Sequence, residues 1–334
     1  MTRPPCSPQE RDAAETVAAR LRQAGYLVEV EEFAARASTE VWFASYAGLS
    51  ALAALLVYPL PLVAAIVGVA AIVLYARDSD GRPVWRRPSC TGRNVVARPP
   101  AAEGPSLVVV APLVSRPPRF GERAARALVV PLQTLMVAIP AAGAAAWIAE
   151  VEAELPGFVP PAGAAVAVAV AVLGLTLHRP APPVAPETNA PLEVLLGLAR
   201  GSTGRPVWFV ATGAPDAGTA GIEALLRARE KEVAGAVWLN LAASPSGVVA
   251  VSEEGAWRER RADRRLMGAA EEAGAEVRPY RAAPTSATPL LARRRRALTL
   301  MVADDAEGER IAESVAAGVL GLAAGGTLEA DAGE

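Results

Sequence analysis

The stretch SLVVVAPLVSRPP, Ser106 to Pro118, decides the fold. Its apolar run does not alternate with polar residues, so a strand here is buried on both faces, as in a sheet covered by helices on each side. The run ends in a proline-rich loop. In parallel α/β sheets the reacting groups stand just past the carboxyl ends of the strands. Here that position offers Pro112, Val114 and Ser115, with no acid, base or imidazole.

Outward from this strand, the same kinds of segment recur. Upstream, Ser7-Pro8-Gln9-Glu10 is a capping box with proline at the first helical position, and the helix it opens stops at Gly25. YLVEVEEF and GRNVVARP read as strands. Downstream come a helix (PLEVLLGLARGS), a strand (RPVWFVATG), a helix (GTAGIEALLRARE), a strand (GAVWLNLA) and a short strand (GVVAVSEEG). An arginine-rich helix (WRERRADRRLMGAAEEAG), a strand (RRALTLMVA) and an amphipathic helix (GERIAESVAAGVLGLAA) complete the order. This alternation predicts an α/β fold with a mainly parallel mixed sheet and helices on both faces.

Four apolar segments interrupt that pattern. Val41 to Ala76 carries no charge, and the two prolines of Tyr58-Pro59-Leu60-Pro61 divide it into helices over about 41–58 and 60–76. A second pair, Ala127–Ala149 and Ala162–His178, is joined by EVEAELPGFVPP. The lengths predict about four transmembrane helices. Arg77, Arg82, Arg86, Arg87, Arg119, Arg123, Arg126 and Arg179 flank their feet, and the tips carry no Lys or Arg. The positive-inside rule then gives a multi-pass protein of the cell membrane, with the other pieces on the cytoplasmic side and the lipid bilayer as a partner. Segment 162–178 is short and also fits a buried element, and apolar core helices are the alternative for all four. The predicted organisation is one α/β domain over 1–40, 77–126 and 179–325, interrupted by hairpins at 41–76 and 127–178, with a disordered tail at 326–334.

Composition narrows the function. The hydrophobic fraction is 52% and mean hydropathy +0.27, both high. Net charge is −2, and Arg293 to Arg296 with the arginines of 258–265 have no interleaved aromatics, so nucleic acid is not a predicted partner. Those arginines suit either anionic headgroups or a solvated face. Cys6 and Cys90 form no CxxC pair and lie far apart, which argues against a disulfide framework or a thiolate zinc site. No apolar signal-peptide core opens the sequence. No glycine-rich nucleotide motif is present.

The order of the pieces resembles the two-zinc exopeptidases of metallopeptidase family 28, the bacterial leucyl-aminopeptidase and glutamate-carboxypeptidase type. The resemblance is carried by the opening helix with GYLVEVEEF, by GRNVVAR and the strand after it, and by ETNAPLEVLLGLAR, RPVWFVATGAPDAG, GAVWLNLA and TSATPLLARRRRALTL. It implies a centre of two zinc ions with a bridging carboxylate, histidine and acidic ligands, and a glutamate base. Carried over, the family's His-x-Asp falls on Pro112-Leu113-Val114 and the bridging aspartate on Thr188. The Glu-Glu pair falls on Pro215-Asp216, the later aspartate on Asn240, and the last histidine near Ser286 and Ala287. Only Asp216 keeps a carboxylate. His178 is the one histidine of the chain, at the foot of an apolar segment. Amides and hydroxyls substitute poorly for carboxylate and imidazole at zinc.

No catalytic, cofactor-binding or metal-binding residue is therefore assigned. Pro112, Val114, Thr188, Pro215, Asp216, Asn240 and Ala287 are positions of a lost site, and zinc is expected only where a site still functions. The leading expectation is a membrane-embedded pseudo-peptidase acting as a binding or scaffold protein, with another membrane protein or a peptide-like ligand as partner. The alternatives are an active metallopeptidase with an altered site using Asp216 and Glu187, and a small membrane transport or assembly partner.

Overall fold

The structure, a computed structural model, describes residues 6–35, 41–57, 59–79, 90–100, 104–113, 122–148, 159–178, 189–202, 204–213, 219–255, 258–280 and 285–324. These fall in two compact units. One comprises Met1–Ser38, Arg86–Arg119 and Pro183–Glu334, and the other Thr39–Trp85 and Phe120–Pro182. The predicted tail at 326–334 lies outside the described residues.

The first unit is built on one sheet. Helix α1 (Pro8–Gln23) precedes β1 (Leu27–Ala35), β2 (Cys90–Arg98) and β3 (Leu107–Pro112). Then follow α6 (Ala190–Gly201), β4 (Val207–Thr212), α7 (Ala220–Arg229), β5 (Val237–Ala243), β6 (Val248–Glu254) and β7 (Arg260–Arg261). The last elements are α8 (Arg264–Glu272), β8 (Glu276–Tyr280), α9 (Thr288–Ala292), β9 (Ala297–Val302) and α10 (Ala306–Ala324). Strand order is β1-β2-β4-β3-β5-β9-β6-β7, with β8 also on β6. The expected parallel character holds in the middle, where β4, β3, β5 and β9 run parallel, and for the β6–β8 pair at the edge, whereas β1–β2, β2–β4, β6–β9 and β6–β7 are antiparallel.

Side chains of the central strands divide by the period of two. Leu107, Val109 and Ala111 join the core packed by α1, α6, α8 and α10, and Val108 and Val110 join the one packed by α7 and α9. Each such fully buried leucine or valine side chain contributes roughly 1.5–3 kcal/mol. Tyr26 donates its hydroxyl to the Ala199 carbonyl at 3.1 Å and meets the Phe209 ring edge-on. Burial pushes its phenol up to about 12.

Two expectations change at the edges of the sheet. The arginine-rich helix begins only at Arg264, because Asp263 caps it by accepting from the amides of Arg265 and Leu266, and Arg260 and Arg261 form β7 instead. The cysteines, whose separation in sequence argued against a disulfide framework, form a disulfide between Cys6 and Cys90 with Cα atoms 6.0 Å apart. Packing of α1 beside β1 and β2 brings together two residues 84 positions apart, a proximity that sequence distance hides.

The second unit is helical: α2 (Val41–Leu56), α3 (Pro61–Ser79), α4 (Glu122–Ile148) and α5 (Val159–His178). The Tyr46 and Tyr75 rings meet edge-on at 5.9 Å, and the Gln133 amide donates to the Tyr75 hydroxyl at 3.4 Å. Gly68 admits Pro140, since a Cβ there would lie 2.9 Å from the proline ring. Apolar side chains stand on inner and outer faces alike, with Ala64 and Met136 buried and Ile66 and Val168 exposed.

This unit overturns the expectation of about four transmembrane helices and a multi-pass location in the cell membrane. Among the described residues no helix is long and apolar enough to cross a bilayer. At about 1.5 Å per residue, the 16 residues of α2 fall short of the roughly 30 Å of a hydrocarbon core. Helix α4 is longer but begins at Glu122 and holds Pro131 and Pro140 inside it.

Candidate functional site

Among the described residues, the carboxyl end of β3 is closed by apolar residues and backbone bonds. β3 ends at Pro112, paired with Thr212 of β4. The next residue, Leu113, is buried, and its amide donates to the Thr212 carbonyl at 2.8 Å. Thr212 turns its hydroxyl back to the Ala111 carbonyl at 3.4 Å. Val114, Thr188, Glu187, Pro215 and Asp216 lie outside the described residues. His178 is the last residue of α5, in the other unit.

Asn94 was not singled out by the sequence, although a polar residue inside the buried GRNVVAR strand is the signal that marks it. It is fully buried. Its amide donates to the Gly221 carbonyl at 2.8 Å, and its oxygen accepts from the Gly213 amide at 3.3 Å. One side chain thus clamps both ends of the segment that carries Pro215 and Asp216. The two glycines make room for it: a Cβ on Gly221 would come within 2.8 Å of the Asn94 oxygen. Removing these bonds leaves buried backbone groups unsatisfied, so Asn94→Ala is expected to cost about 2 kcal/mol in a urea titration. An unchanged midpoint would deny the clamp its role.

Asn240 sits inside β5 rather than at its end, level with Val110 of β3 and Thr299 of β9. It therefore lies two residues deeper than Pro112. Its amide donates to the Thr299 hydroxyl at 3.3 Å, which in turn donates to Glu254 at 3.3 Å. Thr285 also donates to Glu254, stands 3.1 Å from the Thr299 hydroxyl, and accepts from the Ala287 amide at 3.0 Å. Two of the predicted positions, Asn240 and Ala287, are thereby joined through hydroxyls to a carboxyl group the sequence reading missed. VSEEG looks like an ordinary polar strand end, and nothing in it distinguishes Glu254 from Glu253.

Glu254 is 2% exposed. Burial raises its pKa from 4.5 to about 7, against the hydrogen bonds from Thr285 and Thr299 and the charge of Arg260, which act to lower it. Tyr280, on the adjacent β8, is raised to about 12 by burial and by the Glu254 charge. The Glu254 Oε1 and Asn240 Oδ1 atoms are buried without hydrogen-bond partners. The cluster can hold or release one proton near neutrality, and its burial keeps substrates from it.

Among the described residues the donor chemistry does not fit a two-zinc centre. Pro112 and Ala287 carry no donor side chain, the Asn240 amide is bonded to Thr299, and Glu254 is a single carboxyl group. Among the described residues no three of His, Cys, Asp or Glu come together. Within the arginine runs, Arg293 forms a two-bond ion pair with Glu223 at 2.8 and 2.9 Å, and Arg296 pairs with Asp263 at 2.9 Å.

No family model matches the sequence, and no curated protein matches it. Solved structures do. BSAP, a zinc aminopeptidase from Bacillus subtilis, is similar at 12% identity and a TM-score of 0.45, over 96% of this chain and 89% of that one. A leucine aminopeptidase precursor from Bacteroides thetaiotaomicron is similar at 9% identity and 0.37, over 95% and 89%. The LapA aminopeptidase of Legionella pneumophila follows at 10% and 0.33, over 96% and 76%. These three structural neighbours are aminopeptidases, at low identity.

Proposed function

We propose that this chain is a non-hydrolytic protein of exopeptidase-like α/β build that acts in binding or as a scaffold. One observation carries the reading. The described polar side chains around the strand ends are bonded inward, Asn94 to backbone and Asn240 through Thr299 to Glu254, and Pro112 and Leu113 close the end of β3. A hydrolytic centre needs the opposite arrangement, with donors converging on a space a substrate can enter.

The test is zinc analysis of the purified full chain together with a screen of aminoacyl-p-nitroanilides. Expected are substoichiometric zinc after dialysis and no release of nitroaniline above the uncatalysed rate. Two tightly held zinc ions per chain with turnover would overturn the reading.

A further inference from the structure

Glu254 ends β6, and the ladders beside it are short. On one side its register partner is Arg260 of β7, a strand of two residues. On the other it is Tyr280 of β8, which pairs with β6 alone among the described strands, and a bulge interrupts that ladder between Val251 and Glu254. The carboxyl group is covered by the segment before α9, whose Thr285 hydroxyl donates to it and accepts from the Ala287 amide at 3.0 Å. The Thr285 amide donates to the Thr288 hydroxyl at 2.9 Å, so one residue ties Glu254 to the first turn of α9. The middle of the sheet is held differently: β3–β4 and β5–β9 each run through six consecutive register pairs. Local opening follows the sparsest bonding. Water therefore reaches Glu254 through β8 and the segment before α9, with the central strands still paired.

This cover suits a neutral carboxyl group. Oε2 accepts from Thr285 and Thr299, whereas Oε1 is buried with no hydrogen-bond partner. An ionised carboxylate offers about four acceptor sites, and stays buried only when these are filled or a cation is close. Among the described residues, Arg260 from β7 is the cation that acts on it, and Tyr280 from β8 is the other titratable group facing it. β5, β9 and the segment before α9 present Asn240, Thr299 and Thr285, which carry no charge. Glu253, next to it on β6, pairs with Arg261 at 3.4 Å, and Arg278 of β8 pairs with Glu276 at 3.9 Å. Arg281 follows Tyr280 in sequence and lies outside the described residues. Burial outweighs the Arg260 charge, so the closed cluster favours the proton.

We propose that Glu254 is a proton-operated latch: protonated, it holds the segment before α9 closed, and ionised, it lets that segment and β8 open to water while the central strands stay paired. The open form has the ordinary value of 4.5 and the closed form about 7, so the proton stabilises the closed form and rising pH favours opening. Opening presents to solvent the polar cluster that joins Asn240 to Ala287, whether or not the chain hydrolyses anything. Hydrogen–deuterium exchange of the full chain from pH 5 to pH 8, corrected for the intrinsic pH dependence of amide exchange, tests it. Expected in 276–280 and 285–292 is an opening more frequent than that of β3, β4 and β5 at each pH, and rising on the order of a hundredfold across this range. Glu254→Gln keeps an acceptor for Thr285 and cannot ionise, so it should stay at the low-pH level throughout. Circular dichroism at both ends of the range verifies that the variant folds. Exchange of these segments only together with the central strands overturns the latch. So does a corrected rate independent of pH in the wild type, or a pH dependence that survives Glu254→Gln.

Discussion

Replacing Cys90 with serine is expected to lower the unfolding free energy of the sheet unit by about 4.5 kcal/mol, the chain-entropy value for releasing a loop of this length. The disulfide joins residues 84 positions apart, so its loss frees a long loop in the unfolded ensemble. Cys6 immediately precedes the helix cap Ser7, and its amide bonds to Glu10, so the same bond also fixes the entry into α1. Urea titrations with and without reductant measure the effect. The wild type should fall to the midpoint of Cys90→Ser on reduction, and the variant should not respond. Equal midpoints for the wild type in both conditions would sink the assignment.

Stability should also fall as pH rises through Glu254. The carboxyl group titrates at 4.5 when unfolded and at about 7 when buried, so below the lower value both states are protonated and no penalty exists. Between the two values the unfolded chain gives up its proton while the folded chain retains it, and the fold loses stability with each step. Above about 7 the loss is complete, about 3 kcal/mol, since each tenfold difference in proton affinity between the two states is worth roughly 1.4 kcal/mol. Glu254→Gln removes the titration and keeps the shape. The variant should match the wild type at low pH and exceed its stability by about 2–3 kcal/mol at pH 8. A difference that stays constant across this range would show that the proton is held elsewhere.

The fold was legible where one face or both faces of an element dominate its environment. β3, β4, β5 and β9 announce themselves as continuous apolar runs, and α1 by its cap and spacing. The antiparallel flanks were not legible, because pairing direction depends on which strands become neighbours. β2 reaches β4 across the chain, and nothing in GRNVVAR encodes that. β8 hid because Glu276, Arg278 and Pro279 give it no strand pattern, and α9 because it is only five residues long. The apolar segments were correctly read as helical, but an apolar run fixes neither the length of its helix nor its surroundings. In the candidate site, residue identities alone show that Pro112 and Ala287 carry no donor side chain. They could not expose the Glu254 cluster, which is assembled from β5, β6, β9 and the segment before α9.

The pairing of β1 with β2 treats residues 36–89 as a hairpin turn. Ala35 and Cys90 are register partners, so the chain leaves the sheet and re-enters it at one rung of the ladder. All the hydrogen bonds between the two strands lie on the sheet side of that rung. Because closure entropy grows only slowly with loop length, the intervening helices act as a cassette in place of a turn. The register from Leu27–Arg98 to Ala35–Cys90 is thus kept without a short turn to set it.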